Sequence, residues 1–358
     1  MCDDSTVTPY HRLARDSPDF THWRLPVAAI LGAVAYGFLA FGLLLVAMVV
    51  VAVSGNDPEA WIDAMAEEIP LDDPAELAFQ LGLIAVMLPC VLVPVAVLWR
   101  RHVGYLHSVA GHLRRGWLGL CTAVAFAVVG VSLILSVVVA AVTGESVAFD
   151  SLDVRAVLSI VVVLLVVPFQ AAAEEYVFRG GLLQLIGSWT RWAVIPVLAT
   201  SLIFAAGHLY DFWGLVSVFA FGVIAAVLTI RTGGLEAAIG LHVANNVVLM
   251  VLDILGLIDS AGEGANFINE VVPSTVMCLV YWALIEWFAR RRDLQRRRAP
   301  LPALPRAVPA YRIVPPPPYV PDHEVALAAP VAAPPTASRP EVPPNAPPYP
   351  GDPGVWGR

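Results

Sequence analysis

Charged residues are scarce in this sequence, and their scarcity argues against a soluble fold. Only 14% of the 358 residues are charged and 58% are hydrophobic, whereas about a quarter of a typical soluble domain is charged. Apolar runs of about 20 residues, long enough to cross ~30 Å of hydrocarbon, recur through the first 290 positions. We therefore interpret the chain as an integral protein of the lipid bilayer.

Several catalytic and binding signatures are also absent. The four cysteines are scattered and form no CxxC pair, which argues against a disulfide framework or a cysteine-ligated metal. The sequence contains no GxSxG and no HExxH motif, so serine hydrolases and the common zinc peptidases are not indicated. Lysine is missing altogether, and the net charge of −8 is segregated by loop. Nothing in this pattern indicates nucleic-acid binding.

Eight apolar windows predict an all-α, polytopic transmembrane bundle with about eight spans. They cover residues 27–53, 77–99, 117–142, 154–173, 192–209, 212–230, 235–257 and 271–289. The first run is too long for a signal peptide and lacks a cleavage pattern of small residues, so we expect it to be retained.

Arginines and acids alternate between successive loops. Arginines precede the first span, follow the second, fourth and sixth, and form a block after the eighth, whereas the remaining loops carry acids. Because cytoplasmic loops are enriched in arginine and lysine, we expect both termini in the cytoplasm and the chain in a bacterial plasma membrane. The expected organisation is an N-terminal segment (1–26), a membrane domain (27–290) and a cytoplasmic tail (291–358).

The tail is basic at first and then rich in proline. Its proline runs lack amide donors and cannot propagate a helix, so we expect disorder or polyproline II from residue 299 onward. The segment is either a docking site for a proline-binding partner or a low-complexity extension. We favour the extension, because PxxP patterns are common by chance.

Polar side chains interrupt three of the predicted spans. An ionisable group near the bilayer centre costs several kcal/mol, so by default it marks a site lined by protein or water. Glu175 and Arg179 are four residues apart and are predicted to pair on one helix face. Glu174 is turned about 100° away and is left available.

Two histidines add to this group. Phe204 and His208 are four residues apart on the fifth span, and His242 and Asn246 are four apart on the seventh, so each pair projects from one helix face. Taken singly, each group is explained by interfacial solvation or by a hydrogen bond between helices. Taken together, they favour one shared site.

These groups lie at similar depths in the membrane only if the fourth helix continues past its hydropathy boundary to about residue 186. Glu174 then lies roughly 20 Å before the following turn, and His208 roughly 27 Å after it. His242 follows its own turn by only about 12 Å. Tilt, or a kink at Pro168, has to close the remaining gap.

In this order and on successive spans, these residues resemble the CAAX protease and bacteriocin-processing family of intramembrane endopeptidases. The family pattern is EExxxR, then FxxxH, then HxxxN, and the match covers about residues 155–255. Here the pattern reads Glu174-Glu175 with Arg179, Phe204 with His208, and His242 with Asn246. The resemblance implies hydrolysis of a peptide bond in a membrane-associated protein or peptide.

The resemblance also implies a division of labour. Glu174 and His208 would activate a water, and His242 and Asn246 would stabilise the oxyanion, while the neighbouring ion pair would be structural. Elementary chemistry agrees, because peptide hydrolysis needs a general base and donors directed at the developing charge.

The cofactor is open in this family, whose members are described both as metalloproteases and as glutamate-dependent proteases. Two histidines and a glutamate can form a three-ligand zinc site with an open position. Glu174, His208 and His242 would be the ligands if zinc or another divalent metal is bound. We expect no tightly held metal.

Two rival functions remain. Buried glutamate and histidine also form the proton relays of proton- or ion-coupled transporters, although the charged pattern is not repeated between the two halves of the chain, as inverted-repeat transporters tend to require. A catalytically inactive scaffold of the same fold is disfavoured because every matched position retains usable chemistry.

The sequence does not distinguish between possible roles of the peptidase. Self-immunity, peptide maturation and membrane-anchor processing are equally compatible with it.

Overall fold

The structure is a computed structural model that describes residues 7–17, 20–67, 70–144, 152–258 and 266–298. Within these ranges the regular structure is helical, apart from two isolated bridges. The predicted disorder of the proline-rich tail, and its possible docking role, concern residues outside the described ones.

The α-helices divide into long spans and shorter connecting pieces. In chain order they are α1 (Arg24–Val53), α2 (Pro58–Glu67), α3 (Pro74–Ala85), α4 (Met87–Trp99), α5 (Val103–His107), α6 (Arg115–Thr143), α7 (Val154–Glu175), α8 (Leu183–Gly187), α9 (Val194–Ala206), α10 (Phe212–Thr232), α11 (Glu236–Ile254) and α12 (Val272–Arg291). Two π-helical segments, Tyr176–Leu182 and Phe267–Val271, lead into α8 and α12, and 3-10 turns cover Tyr10–Asp16 and Arg100–His102.

Seven helical stretches in the described residues are long and apolar enough to cross a membrane, which confirms the polytopic helical class. They are Arg24–Val53, Pro74–Trp99, Arg115–Thr143, Val154–Gly187, Phe212–Thr232, Glu236–Ile254 and Phe267–Arg291. The fifth predicted span differs: α9 has 13 residues and rises only about 20 Å, less than the ~30 Å of a hydrocarbon core.

The helix that carries the two glutamates continues past its hydropathy boundary, as predicted. Asp153 caps its start by accepting a hydrogen bond from the Ala156 amide at 2.8 Å, and the helix runs through the π-helical segment to Gly187. A Cβ on Gly187 would overlap the His11 carbonyl, so only glycine allows the N-terminal segment to approach this closely. The glutamates thereby lie well inside a long helix.

The described residues before the first span and those after the last span meet at the same end of the bundle. Thr8 and Arg298 exchange backbone hydrogen bonds of 3.1 and 3.0 Å, and the Tyr10 side chain is fully buried with its hydroxyl donating to the Leu106 carbonyl. Residues 7–17 therefore pack among the loops between the spans.

An ion pair fixes the beginning of α11 at this same end. The fully buried Glu236 carboxylate accepts hydrogen bonds from the Arg114 amide, Nε and Nη2 at 2.9, 2.8 and 2.7 Å. Gly233 has a left-handed φ of 71°, and a Cβ on Gly234 would overlap the Glu236 carboxylate. This turn holds the first residue of α11 only about 9 Å before His242 along the helix axis.

Close packing then holds α11 between its neighbours. A Cβ on Gly240 would lie 2.8 Å from the Thr122 amide nitrogen of α6, and the Tyr281 hydroxyl of α12 donates to the Ala237 carbonyl at 2.8 Å. On its other side α11 packs along α7. The face that bears His242 is consequently turned to the helix that bears Glu174 and Glu175.

Candidate active site

A buried ion pair forms the base of the site. Arg179 Nη1 donates to Glu175 Oε1 at 2.8 Å, and both side chains are fully buried. Arg179 Nη2 also donates to the Gly222 carbonyl at 3.3 Å. The pairing expected from the four-residue spacing is therefore present, and each charge compensates the other in an environment that would strongly penalise either one alone.

His242 connects this pair to the second glutamate. Its Nδ1 lies 2.8 Å from Glu175 Oε1, and because an ionised carboxylate only accepts, Nδ1 carries the hydrogen. Its Nε2 lies 3.4 Å from Glu174 Oε2. The rings of Phe204 and Phe221 present edge-type contacts to the imidazole, with centroids 5.8 and 5.3 Å away.

Only one of the two Glu174 carboxylate oxygens is hydrogen-bonded within the described part of the chain. Its Oε2 accepts a hydrogen bond of 2.7 Å from Gln170 Nε2, and Gln170 Oε1 accepts one of 3.2 Å from Asn246 Nδ2. The side chain is 12% exposed, and its second oxygen, Oε1, has no hydrogen bond within the described part of the chain. The structure thus brings Glu174, His242 and Asn246 of the predicted set into one polar group.

Phe204 separates the two predicted histidines. The Arg179 guanidinium lies 4.4 Å above its ring, a favourable cation–π distance. The same ring is 4.8 Å from the His208 ring and 5.8 Å from the His242 ring, centroid to centroid. Phe204 contributes apolar packing and spacing, and it has no group that takes part in proton transfer.

His208 lies just beyond the end of α9, at the edge of this group. Its Nδ1 is 2.9 Å from the Phe204 carbonyl oxygen; since a carbonyl only accepts, Nδ1 carries the hydrogen and Nε2 of the neutral ring has the lone pair. No hydrogen bond or ion pair joins His208 to Glu174 or His242 among the described side chains. A water or substrate atom would have to bridge them.

The loop after His208 contains Tyr210, whose pKa is raised. Partial removal from water raises the pKa of Tyr210, although 53% of its surface is exposed, and the negative charges of Glu174 and Glu270 raise that pKa further. The ring of Tyr210 lies 5.6 Å from that of His208. Tyr210 is therefore affected by Glu174 of the site and by a second acid outside it.

Comparison with known proteins identifies the stretch that holds this geometry. Residues 156–248 match the family described as type II CAAX prenyl endopeptidase Rce1-like. We refer to residues 156–248 as the Rce1-like region, after the family that they match. The resemblance read from the spaced motifs is confirmed, and every predicted site residue lies inside the Rce1-like region.

A bacterial relative is also similar to part of this chain. The uncharacterized protein YyaK of Bacillus subtilis (strain 168) is 34% identical in an alignment of 93 positions, which covers 24% of this chain and 31% of the relative. The chain thus spans about a third of the length of the curated relative that it matches. No solved structure matches the chain.

The Rce1-like region does not present the three-ligand metal site considered from the sequence. Among the described residues, no group of three histidine, cysteine, aspartate or glutamate side chains is placed to hold a metal ion. His242 Nδ1 is directed at Glu175, and the Phe204 ring lies between the His208 and His242 rings. The donor set therefore does not fit a metal centre in this arrangement, and a metalloprotease is not supported.

Sequence reasoning missed two polar residues of the Rce1-like region, Gln170 and Asn245. Gln170 is only 4% exposed inside an apolar helix, and Asn245 Nδ2 donates to Asn246 Oδ1 at 3.2 Å. Both are uncharged, so a search for ionisable groups in the spans overlooks them. The usable signal was spacing, because Gln170 precedes Glu174 by four residues and a buried amide requires partners.

Proposed function

We propose that the protein is an intramembrane endopeptidase that hydrolyses a peptide bond of a membrane-associated protein or peptide. The Rce1-like family supports a protease. The observation that carries the assignment to particular residues is the position of Glu174, hydrogen-bonded to Gln170 on one oxygen and 3.4 Å from His242. An anchored carboxylate with one oxygen left over is suited to act as a general base.

Water activation falls to Glu174 and His208. Glu174 Oε1 removes a proton from a water held by the Nε2 lone pair of His208, and the resulting hydroxide attacks the scissile carbonyl carbon. The C–O bond forms as the carbonyl π electrons move onto oxygen. When the C–N bond breaks, Glu174 returns the proton to the leaving amine, so protons and electrons balance over the reaction.

The developing oxyanion is stabilised by donors on α11. Asn246 Nδ2 has two hydrogens, of which one is donated to Gln170 Oε1, and the second is available to the oxyanion. His242 lies between two carboxylates, and its Nε2 is the second donor when protonated. Preorganised donors of this kind usually supply the largest single part of catalysis. Glu175 and Arg179 act on substrate only through His242, as positioning residues.

Location and orientation complete the proposal. We assign the arginine-bearing end of the bundle to the cytoplasmic side of a bacterial plasma membrane. Arg24 and Arg115 begin their helices, whereas Arg231 and Arg291 lie in the last turns of theirs, so all four lie at one end, as the positive-inside rule requires. Cleavage of the C-terminal tail by a protease added outside intact cells would contradict this orientation.

The glutamate-type mechanism predicts that hydrolysis survives removal of metal ions. The assay is cleavage of a farnesylated, internally quenched CAAX peptide by the purified protein in liposomes. After dialysis against a strong chelator we expect an unchanged kcat, because the proposed donors and base are side chains of the chain itself. Loss of cleavage that zinc alone restores would overturn this subtype and favour a metalloprotease.

A second prediction concerns His208. We expect His208→Ala to lower kcat in the same assay by about 10²- to 10³-fold, because the attacking water loses the group that orients it. His112→Ala is the matched control, since His112 is exposed on a loop and its Nδ1 lies within hydrogen-bonding distance of the neighbouring Ala110 carbonyl. Equal activity of the two variants would remove His208 from the mechanism.

A further inference from the structure

Gln170 occupies a position that the family pattern does not include. It lies on α7 one turn before Glu174, is 4% exposed and has both ends of its amide engaged. Nε2 donates to Glu174 Oε2 at 2.7 Å, and Oε1 accepts from Asn246 Nδ2 at 3.2 Å. One side chain therefore connects the proposed base on α7 to the proposed oxyanion donor on α11.

The direction of each hydrogen bond is fixed by the charge of Glu174. An ionised carboxylate only accepts, so Gln170 has to turn its nitrogen toward Glu174 and its oxygen toward α11. That oxygen in turn only accepts, so Asn246 has to present its nitrogen. Asn245 Nδ2 donates to the Asn246 oxygen at 3.2 Å, which favours the same orientation. The chain of donors runs one way from α11 to the carboxylate.

We propose that Gln170 is a positioning residue for this hydrolysis, which orients Glu174 and Asn246 together. It holds Glu174 Oε2 and so leaves Oε1 for the water. It also orients the Asn246 amide. One hydrogen of Asn246 Nδ2 is donated to Gln170, and the second hydrogen of the same nitrogen is then directed at the oxyanion. The inference rests on the proposed endopeptidase function, because both groups it orients belong to that mechanism.

The test replaces Gln170 with methionine, which has a similar length and volume but neither donor nor acceptor. In the farnesylated CAAX peptide assay we expect Gln170→Met to lower kcat by about 10²-fold, as slight misplacement of reacting groups does, with KM changed less than twofold. Gln184→Met is the matched control: Gln184 is a fully buried amide on the same continuous helix, but it donates to the Tyr105 carbonyl away from the site. We expect this control to retain the wild-type kcat.

A double-mutant cycle with Asn246 separates positioning from a general loss of packing. Asn246→Ala alone should lower kcat by about 10²- to 10³-fold. If Gln170 acts through Asn246, then the loss of kcat in the double variant is much smaller than the product of the losses in the two single variants. Multiplying effects, or a Gln170→Met kcat equal to that of the Gln184 control, would overturn the inference.

The outcome can be told apart from failure of the proposed function itself. If the wild type cleaves the peptide, Glu174→Gln does not and Gln170→Met does so at the full rate, then the endopeptidase assignment stands and the role of Gln170 falls. If Glu174→Gln retains full activity, then Glu174 is not the base and the positioning role of Gln170 falls with it, while the endopeptidase activity stands. If the wild type does not cleave the peptide, then the proposed function falls as well.

Discussion

Replacing Glu174 with glutamine is expected to lower kcat by about 10⁴-fold, at the upper end of what a general base contributes. The substituted side chain has the same length, and its amide oxygen still accepts from Gln170 Nε2, which donates to Glu174 at 2.7 Å in the native chain. What is lost is the basic oxygen that takes the proton from water. Cleavage of the farnesylated CAAX peptide in liposomes measures the effect, and KM should change little.

The matched control is Asp153→Asn on the same helix. Asp153 is an exposed carboxylate that caps the start of α7 by accepting from the Ala156 amide, and asparagine caps helices about as well. We expect this variant to keep the wild-type rate and the same unfolding temperature. A Glu174→Gln enzyme within tenfold of the wild type would remove Glu174 as the base, whatever else in the site is correct.

The spans followed from the sequence because bilayer thickness imposes length and polarity together. Predicted and observed limits differ by a few residues for most spans, and the continuation of the fourth helix to Gly187 was required by the depth argument and is present. The exception is α9, whose limits lie within a few residues of the predicted ones but whose 13 residues are too few to cross the hydrocarbon core. A hydropathy window records apolar residues but not helix ends, and here the helix stops at Ala206, before the loop in which Asp211 caps α10.

The site was predictable within each helix and much less so between helices. A spacing of four residues placed Glu175 next to Arg179, which depends only on helix geometry. The hydrogen bond from His242 Nδ1 to Glu175 depends on how α11 packs against α7, and that packing is set by close approaches such as Gly240 against α6. Spacing along one chain segment contains no information about such a contact.

Neutral amides were the second kind of omission. Gln170 adds no charge, so the cost argument that singles out ionisable groups in a membrane does not reach it. Its importance follows from satisfaction of hydrogen bonds: an amide that is 4% exposed among apolar side chains has to find partners, and here the partners are Glu174 and Asn246. A search for every buried polar side chain one turn from a predicted site residue would have included it.

Arg179→Met is expected to cause the largest loss of stability, about 3–5 kcal/mol, because it leaves Glu175 buried without its compensating charge. Both partners are 0% exposed, so water cannot replace the lost interaction. Denaturant titration of the purified protein in detergent measures the change in the free energy of unfolding. Arg231→Met is the matched control: Arg231 is 45% exposed, and its partner Glu286 keeps Arg290 and Arg296, so less than about 1 kcal/mol should be lost.

Combining Arg179→Met with Glu175→Gln separates the structural role of the pair from its effect on catalysis. With no charge left behind, the double variant should recover most of the lost stability, since a buried ion pair replaced as a unit is often close to neutral. Activity should not recover, because the neutral amide still accepts from His242 Nδ1 but makes a weaker hydrogen bond than the carboxylate and orients the imidazole less firmly. We expect kcat to remain about 10²-fold below the wild type. A double variant as unstable as Arg179→Met would refute the buried-charge explanation, and one with full activity would show that the charge of Glu175 has no part in positioning His242.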